Sequence, residues 1–417
     1  MEEKNLNFDE VIDRRNTDCL KFDFAERRGK PADVLPLWVA DMDFKTSSLV
    51  LDALTERVQH GIFGYTESRE SYFEAVSKWM EAHHDWKVER SWLTKTPGVV
   101  FALAMAVKAY SKAGDAVLIQ QPVYYPFSEV IRDNNRKLVS NNLVLGDDGK
   151  YHIDFDDFEK QIVDNHVMLF LLCSPHNPVS RVWTAEELTK MGDICIKHGV
   201  TVVSDEIHED FVFGDHQHTV FATIKKEFEQ NSVTCTSPAK TFNLAGLQVS
   251  NIFIPNGTLR AAFRKQVDAA GYSQLNAMGL TACEAAYTHG ETWYQAMMRY
   301  VESNIAFVRD YLKKELPQIK LIEPEGTYLL WLDFRALGMT EKERENLIVN
   351  QAKLWLDFRG CGLGPEELDH RIIYEAKLWL DSGAIFGQVG EGFERINVAC
   401  PRATIKEALD RLKAVIV

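Results

Sequence analysis

Through the first fifty residues apolar and polar positions follow no sustained period, and the stretch reads as irregular apart from the apolar run 34–40, which leads into Asp41 and Asp43. Those two carboxylates read as turn or capping residues ahead of a helix started by Thr46 or Ser47, in preference to a paired-carboxylate site. Residues 61–66 form a glycine-bracketed turn, and 68–84 a helix with one apolar face. From Leu93 the pattern changes. A helix over 99–110 is followed by strands at 117–120 and 137–145, the apolar strand 167–173, a helix over 184–198 opened by the capping box Thr184-x-x-Glu187, and a strand at 201–204. Strand and helix in alternation, with polar clusters at the strands' carboxyl ends, predict an α/β fold: a mostly parallel sheet sandwiched by helices, with ligands bound at those ends.

After Gly257 the chain is mainly helical (259–269, 276–289 and 291–315), and strands near 319–323 and 327–334 then open a smaller α+β domain. The expected division is an N-terminal segment 1–52 belonging to the small domain, a large domain 53–290 and a small C-terminal domain 291–417. One internal repeat is plain: 331–354 begins WLDFR and is followed directly by 355–378, which begins the same way, with a third start at Trp379. Two 24-residue copies are too few for a solenoid. They read as a tandem duplication that bulges from the surface of the small domain.

Composition narrows the function classes. The net charge of −14 comes from 47 basic and 61 acidic side chains without long runs of one sign, which argues against nucleic acid or an anionic membrane as partner. No apolar run approaches the roughly 20 residues of a membrane helix, and the charged start MEEKNLNFDEVIDRRNTDC has no apolar centre, so a cytoplasmic protein is expected. Seven cysteines without C-x-x-C spacing suit reduced, buried thiols, with neither a disulfide nor a zinc site. The neighbours His83 and His84 cannot share a helical face, and no metal is expected there.

The candidate chemistry centres on Lys240, between the turn Ser237-Pro238 and the small residues Ala245-Gly246. Desolvation in such a setting lowers an amine's pKa, and a neutral amine condenses with an aldehyde. Asn177, Asp205 and the 237–240 turn all follow apolar strands, which predicts their convergence. Gly98 ahead of the 99–110 helix marks a candidate anion site on the helix's free N–H groups.

In order along the chain, PLWVADMDF (36–44), FGYT (63–66), TPGVV (96–100), SPHNP (174–178), SDEIHED (204–210), SPAKTFNLAGL (237–247) and INVACPR (396–402) resemble the fold-type I pyridoxal 5′-phosphate enzymes, specifically the MalY/PatB branch of cystathionine β-lyase-like C–S lyases. The resemblance implies an aspartate aminotransferase-like fold and a homodimer acting on an amino-acid substrate. Lys240 would hold the cofactor aldehyde and serve as general base, Asp205 would pair with the pyridine nitrogen, and Asn177 and His208 would lie by the ring's phenolic oxygen. Tyr124 would stack on the ring. Gly98, Val99, Val100, Ser237 and, across the interface, Tyr65 would hold the phosphate. Arg402 and the backbone of Ala40 would take the substrate carboxylate.

The implied reaction is α,β-elimination of L-cystathionine or another S-substituted cysteine. An aminotransferase shares this machinery, and a non-catalytic cofactor-binding regulator could be built on it. Gln248, where many fold-type I aminotransferases carry arginine, and Val179-Ser180, in place of a common glycine, depart from the wider pattern. The duplication precedes the segment leading to Arg402, where an altered connection would weaken substrate binding.

Overall fold

The computed structural model describes residues 6–272, 274–337 and 377–416. They form two compact units. The first comprises Leu6, 45–272, 274–298 and 324–327, and the second comprises 7–44, 299–323, 328–337 and 377–416. The division falls inside one continuous helix, Glu291–Glu315.

The first unit is built on a seven-stranded sheet. Its strands are β1 (Leu93–Thr96), β2 (Ala116–Ile119), β3 (Lys137–Ser140), β4 (Val167–Cys173), β5 (Thr201–Asp205), β6 (Ser232–Thr236) and β7 (Ser250–Phe253), in the order β1-β7-β6-β5-β4-β2-β3. β7 runs antiparallel to both its neighbours, and every other pairing is parallel. The sequence explains this burial pattern: β4, VMLFLLC, is apolar along its length because helices cover both faces of a parallel sheet, and six of its seven residues are buried.

Besides a short helix, Lys226–Gln230, the α-helices are α1 (Ser48–His60), α2 (Glu70–His84), α3 (Val99–Tyr110), α4 (Pro126–Asp133), α5 (Phe155–Asn165), α6 (Ala185–His198), the one-turn α7 (Pro238–Thr241), α8 (Gly257–Ala269), α9 (Ala277–His289), α10 (Glu291–Glu315) and α11 (Arg402–Ile416). α1 starts where expected, with the Ser47 side chain accepting from Leu49 N. In α6 the Thr184 and Glu187 halves of the capping box are both made, and Gly199 ends the helix at φ 69°, returning its N–H to Ile196 O.

The expected strand 137–145 is two elements. β3 stops at Ser140, and Val144–Leu145 pairs instead with Tyr151–His152. After Ser140 the backbone still donates to the neighbouring segment, from Asn141 N to Ile119 O and from Leu143 N to Gln121 O, while the Asn141 side chain donates to Asp154 O and Asp157 Oδ2.

The second unit holds a four-stranded antiparallel sheet: β8 (Lys320–Ile322), β9 (Leu329–Asp333), β10 (Asp381–Ser382) and β11 (Phe393–Asn397), in the order β8-β9-β11-β10. A separate two-residue pairing joins Leu35–Pro36 to Leu378–Trp379 in parallel. Most of the tandem duplication, residues 338–376, lies outside the described residues, and with it the expected surface bulge.

Here the expectation for Asp41 and Asp43 is corrected. Neither caps α1. Asp43 takes Arg14 Nη1 at 2.6 Å and Lys21 Nζ at 2.8 Å, and Asp41 takes Arg14 Nη2 at 2.7 Å. Lys21 is fully buried. Burial opposes its charge, but Asp43 and Asp41 overcome that penalty and hold its pKa above the ordinary value. The pairing spans more than twenty residues of chain, beyond the range of local capping rules.

Candidate active site

The polar residues at the carboxyl ends of the strands lie on one edge of the first unit's sheet. Cys173, Asp205 and Cys235 are cross-strand neighbours on β4, β5 and β6, while Thr96 faces Ser250 and Thr236 faces Asn251. The turns after these positions therefore open on the same edge: Ser174–Pro178, Glu206–Asp210, Ser237–Lys240 and Pro97–Gly98. Tyr124 is tied to the first of them by its backbone N–H, which donates to Asn177 O at 3.0 Å.

Asp205 is buried. Burial pushes its carboxyl up to about 7, against the downward pull of the Ile207 N–H on Oδ1 (3.1 Å) and of the Lys240 charge, while Glu206 adds to the rise. A carboxyl so poised shares a proton readily with a basic nitrogen. Lys240 is half-buried in α7, whose start is capped by Ser237. Asn177 and His208 are both buried.

α3 begins at Gly98 with φ 150°, and no side chain caps it. Its first N–H groups, on Val99 and Val100, are thus left without a side-chain acceptor, as an anion site requires. Ser237 is less available than expected. Its hydroxyl donates to Val249 O at 2.7 Å and its oxygen accepts from Ala239 N at 3.0 Å, so its donor is already used. Tyr65 is fully exposed, in a loop that also exposes Ile62 and Phe63.

Glu206, Glu209 and His218 bring possible ligand atoms within 4.8 Å of one another. Glu206 is nevertheless spent internally: Oε1 accepts from Ser204 Oγ (2.7 Å) and Phe221 N (3.1 Å), and Oε2 from His218 Nε2 (2.9 Å).

The expected carboxylate-binding residues lie in the second unit. Arg402 directs Nε to Asn304 Oδ1 at 2.6 Å and Nη2 to Ser303 Oγ at 2.7 Å. The Ala40 carbonyl accepts from Tyr328 OH at 2.9 Å, and its neighbours Val39 O and Asp41 O both accept from Asn397 Nδ2, at 2.7 and 2.6 Å. The motif reading passed over Arg395. It is buried on β11, ion-paired with Asp381, and its Nη2 reaches Trp38 O at 2.7 Å. A buried arginine in the strand just before INVACPR was the available signal.

A lysine acting on a buried carboxylate, an uncapped helix start and this sheet order together define a fold-type I pyridoxal 5′-phosphate enzyme. The chain belongs to the aminotransferase class I and II family, which it matches over residues 32–412. It is similar to cystathionine beta-lyase PatB of Bacillus subtilis (strain 168), at 42% identity over 98% of this chain and 99% of that protein. It is also similar to protein MalY of Escherichia coli (strain K12), at 30% identity over 97% of each. The crystal structure of cystalysin from Treponema denticola, which contains a pyridoxal 5′-phosphate cofactor, matches with a TM-score of 0.88 and 37% identity over 98% of each chain.

Proposed function

We propose that this protein is a pyridoxal 5′-phosphate-dependent C–S β-lyase that cleaves L-cystathionine or related S-substituted cysteines to a thiol, pyruvate and ammonia. The observation that carries the reading is a half-buried Lys240 whose charge acts on buried Asp205, in a chain aligned almost end to end with a cystathionine β-lyase. Bound there, the cofactor supplies an electron sink for the substrate carbon that loses its proton.

The chain's own residues do the rest. Lys240 Nζ would hold the cofactor by its aldehyde, and its free amine would take the proton from the substrate α-carbon. Asp205 holds a proton at the pyridine nitrogen, and its raised pKa suits that shared position. Asn177 and His208 would hold the ring's oxygen, Tyr124 would stack on the ring, and the N–H groups after Gly98 would bind the phosphate.

The substrate carboxylate goes to an arginine near the INVACPR segment. Arg402, the first expectation, has its fork engaged by Asn304 and Ser303. Arg395 already holds a carboxylate, that of Asp381, and contacts the backbone two residues before Ala40, which favours it. Arg395→Lys is expected to raise KM for the thioether more than Arg402→Lys does, and the reverse order restores Arg402.

The exposed Ile62, Phe63 and Tyr65 support a homodimer in which Tyr65 reaches the partner's phosphate site. Among the described residues no helix is long and apolar enough to cross a membrane, and the six described cysteines are free thiols. Both features support a cytoplasmic setting.

The test is to supply L-cystathionine to the cofactor-loaded protein without any keto acid. Pyruvate and free thiol released together establish the lyase. Product that appears only with an added keto acid establishes an aminotransferase instead.

A further inference from the structure

Lys240 stands in a helix of one turn, too short to hold its own geometry: α7 has four residues, and isolated helices of that length are unstable in water. Something outside it must fix the direction of the lysine, and Asp210 is placed to do so. Its buried carboxylate joins two other elements, and its backbone carbonyl a third. Oδ1 accepts from the Trp79 indole N–H at 3.1 Å and from His84 Nε2 at 2.9 Å, both on α2. Oδ2 accepts from the hydroxyl of Thr241, the residue after Lys240. The Asp210 carbonyl in turn accepts from Tyr294 OH, on α10, at 2.6 Å.

The same corner grips the turn a second time. Phe242, fully buried, meets the Trp79 ring edge-on at 5.3 Å between centroids. Two consecutive residues after Lys240 are thereby fixed against α2, one through Asp210 and one by packing.

The electrostatics agree with this placement. Burial works to protonate Asp210, but the hydrogen bond and charge of His84 and the bond from Thr241 prevail and hold its carboxyl below the usual range. Glu209 beside it is driven the other way, first by burial and then by the charges of Asp210 and Glu206. The Asp210 carboxylate is the acceptor that reaches the Lys240 turn, through Thr241.

We propose that Asp210 is a positioning residue for Lys240, acting through the Thr241 hydroxyl to aim the lysine amine at the reacting carbon. The proposal rests on Lys240 being the cofactor lysine, as in the proposed function. Because Asp210 does not touch the reactants, its loss misdirects the amine and leaves substrate affinity intact. Misplacement on the ångström scale costs on the order of 10- to 100-fold in rate.

The experiment uses the cofactor-loaded full chain and four proteins: wild type, Asp210→Asn, Thr241→Val and Thr241→Ser. For each, kcat and KM for L-cystathionine, the pH titration of the cofactor's visible absorption band, and the melting temperature are measured. Asp210→Asn and Thr241→Val are expected to lower kcat on the order of 10-fold or more, with KM little changed and the midpoint of the band titration displaced. Thr241→Ser, which keeps the hydroxyl, should restore wild-type values. If Asp210→Asn fails to fold, the Thr241 pair carries the test alone. Wild-type kcat and band titration in Thr241→Val, whatever its melting temperature, overturn the positioning role and leave the proposed function standing. A wild-type protein that takes up no cofactor overturns both.

Discussion

Both units hold clustered, buried or half-buried carboxylates, and they neutralise them in opposite ways. In the turn 205–210 of the first unit, four carboxylates fall within six positions, and their hydrogen-bond partners are histidines, hydroxyls, an indole and backbone N–H groups. In the second unit, Asp41 and Asp43 are matched by Arg14 and Lys21. The outcomes differ accordingly. The first turn divides its acids: Asp205 is raised to about 7 and Glu209 is raised as well, while Asp210 is held low. In the second unit the pairing holds both cations above their ordinary pKa values. Where no fixed cation is bonded to it, as at Asp205, a buried carboxylate can exchange a proton near neutrality, which serves chemistry. Fixed cations keep the charge in place, which serves structure.

The largest effect that would break this comparison is at its chemical end. Lys240→Ala should abolish the cofactor's visible band and lower lyase turnover by on the order of 10²- to 10⁴-fold, with the melting temperature of the cofactor-free protein preserved. Turnover near the wild-type value in that variant would remove the first turn from the chemistry altogether.

At the structural end, Lys21→Met leaves Asp43 buried beside only Arg14. Breaking a buried ion pair costs about 3–5 kcal/mol, and urea denaturation should show a loss of that size for the second unit. A loss under 1 kcal/mol would mean that the pairing with Lys21 is no more than an exposed ion pair in its effect, roughly the range such pairs occupy.

Acidity sharpens the contrast. The folded-state pKa of Asp205 lies near 7, above the roughly 3.9 of an unfolded aspartate, so the folded protein holds this proton more tightly. The stability it contributes is complete below about pH 4 and is lost as pH rises toward 7, at most about 1.4 kcal/mol per pH unit. In cofactor-free protein, the unfolding free energy of wild type minus that of Asp205→Asn should therefore decline over this window and level off above it. A difference that stays flat would show Asp205 ionised throughout, like an acid of the second unit.

The smallest expected effect is at Asp41. Asp41→Asn keeps an acceptor for Arg14, which also retains Asp43, so a cost of about 1–2 kcal/mol is expected from the loss of one charged hydrogen bond. Equal losses from Asp41→Asn and Lys21→Met would mean that the four groups act as one unit.

Legibility from sequence followed the range of the interaction. The helix 99–110 and the strand 167–173 were read to the residue, because period and composition determine them locally. The capping box of α6 was read for the same reason. The SDEIHED and SPAKTF clusters were visible as polar segments ending apolar strands. Asp41 and Asp43 were read as capping residues because Arg14 and Lys21 are distant in sequence. Asp210 and Arg395 were passed over because their partners come from other elements, at separations of 131 residues for Trp79 with Asp210 and 357 for Trp38 with Arg395.

The tandem repeat shows where local determination stops. The sequence WLD occurs at Trp331 and again at Trp379. In both places it gives a buried, extended segment, since tryptophan and leucine carry that preference wherever they stand. Their places in the fold differ. Trp331 lies within β9 between two antiparallel neighbours and stacks on Phe393 at 5.2 Å. Trp379 pairs in parallel with Pro36 and stacks on Trp38 at 4.2 Å. By itself the sequence determined the alternation of elements, the buried strands and the polar clusters at their ends, because backbone preference and apolar period act over a few residues. Tertiary structure alone decided which carboxylate meets a lysine, which a histidine and which an arginine, because burial and charge pairing depend on side chains that only folding brings into contact.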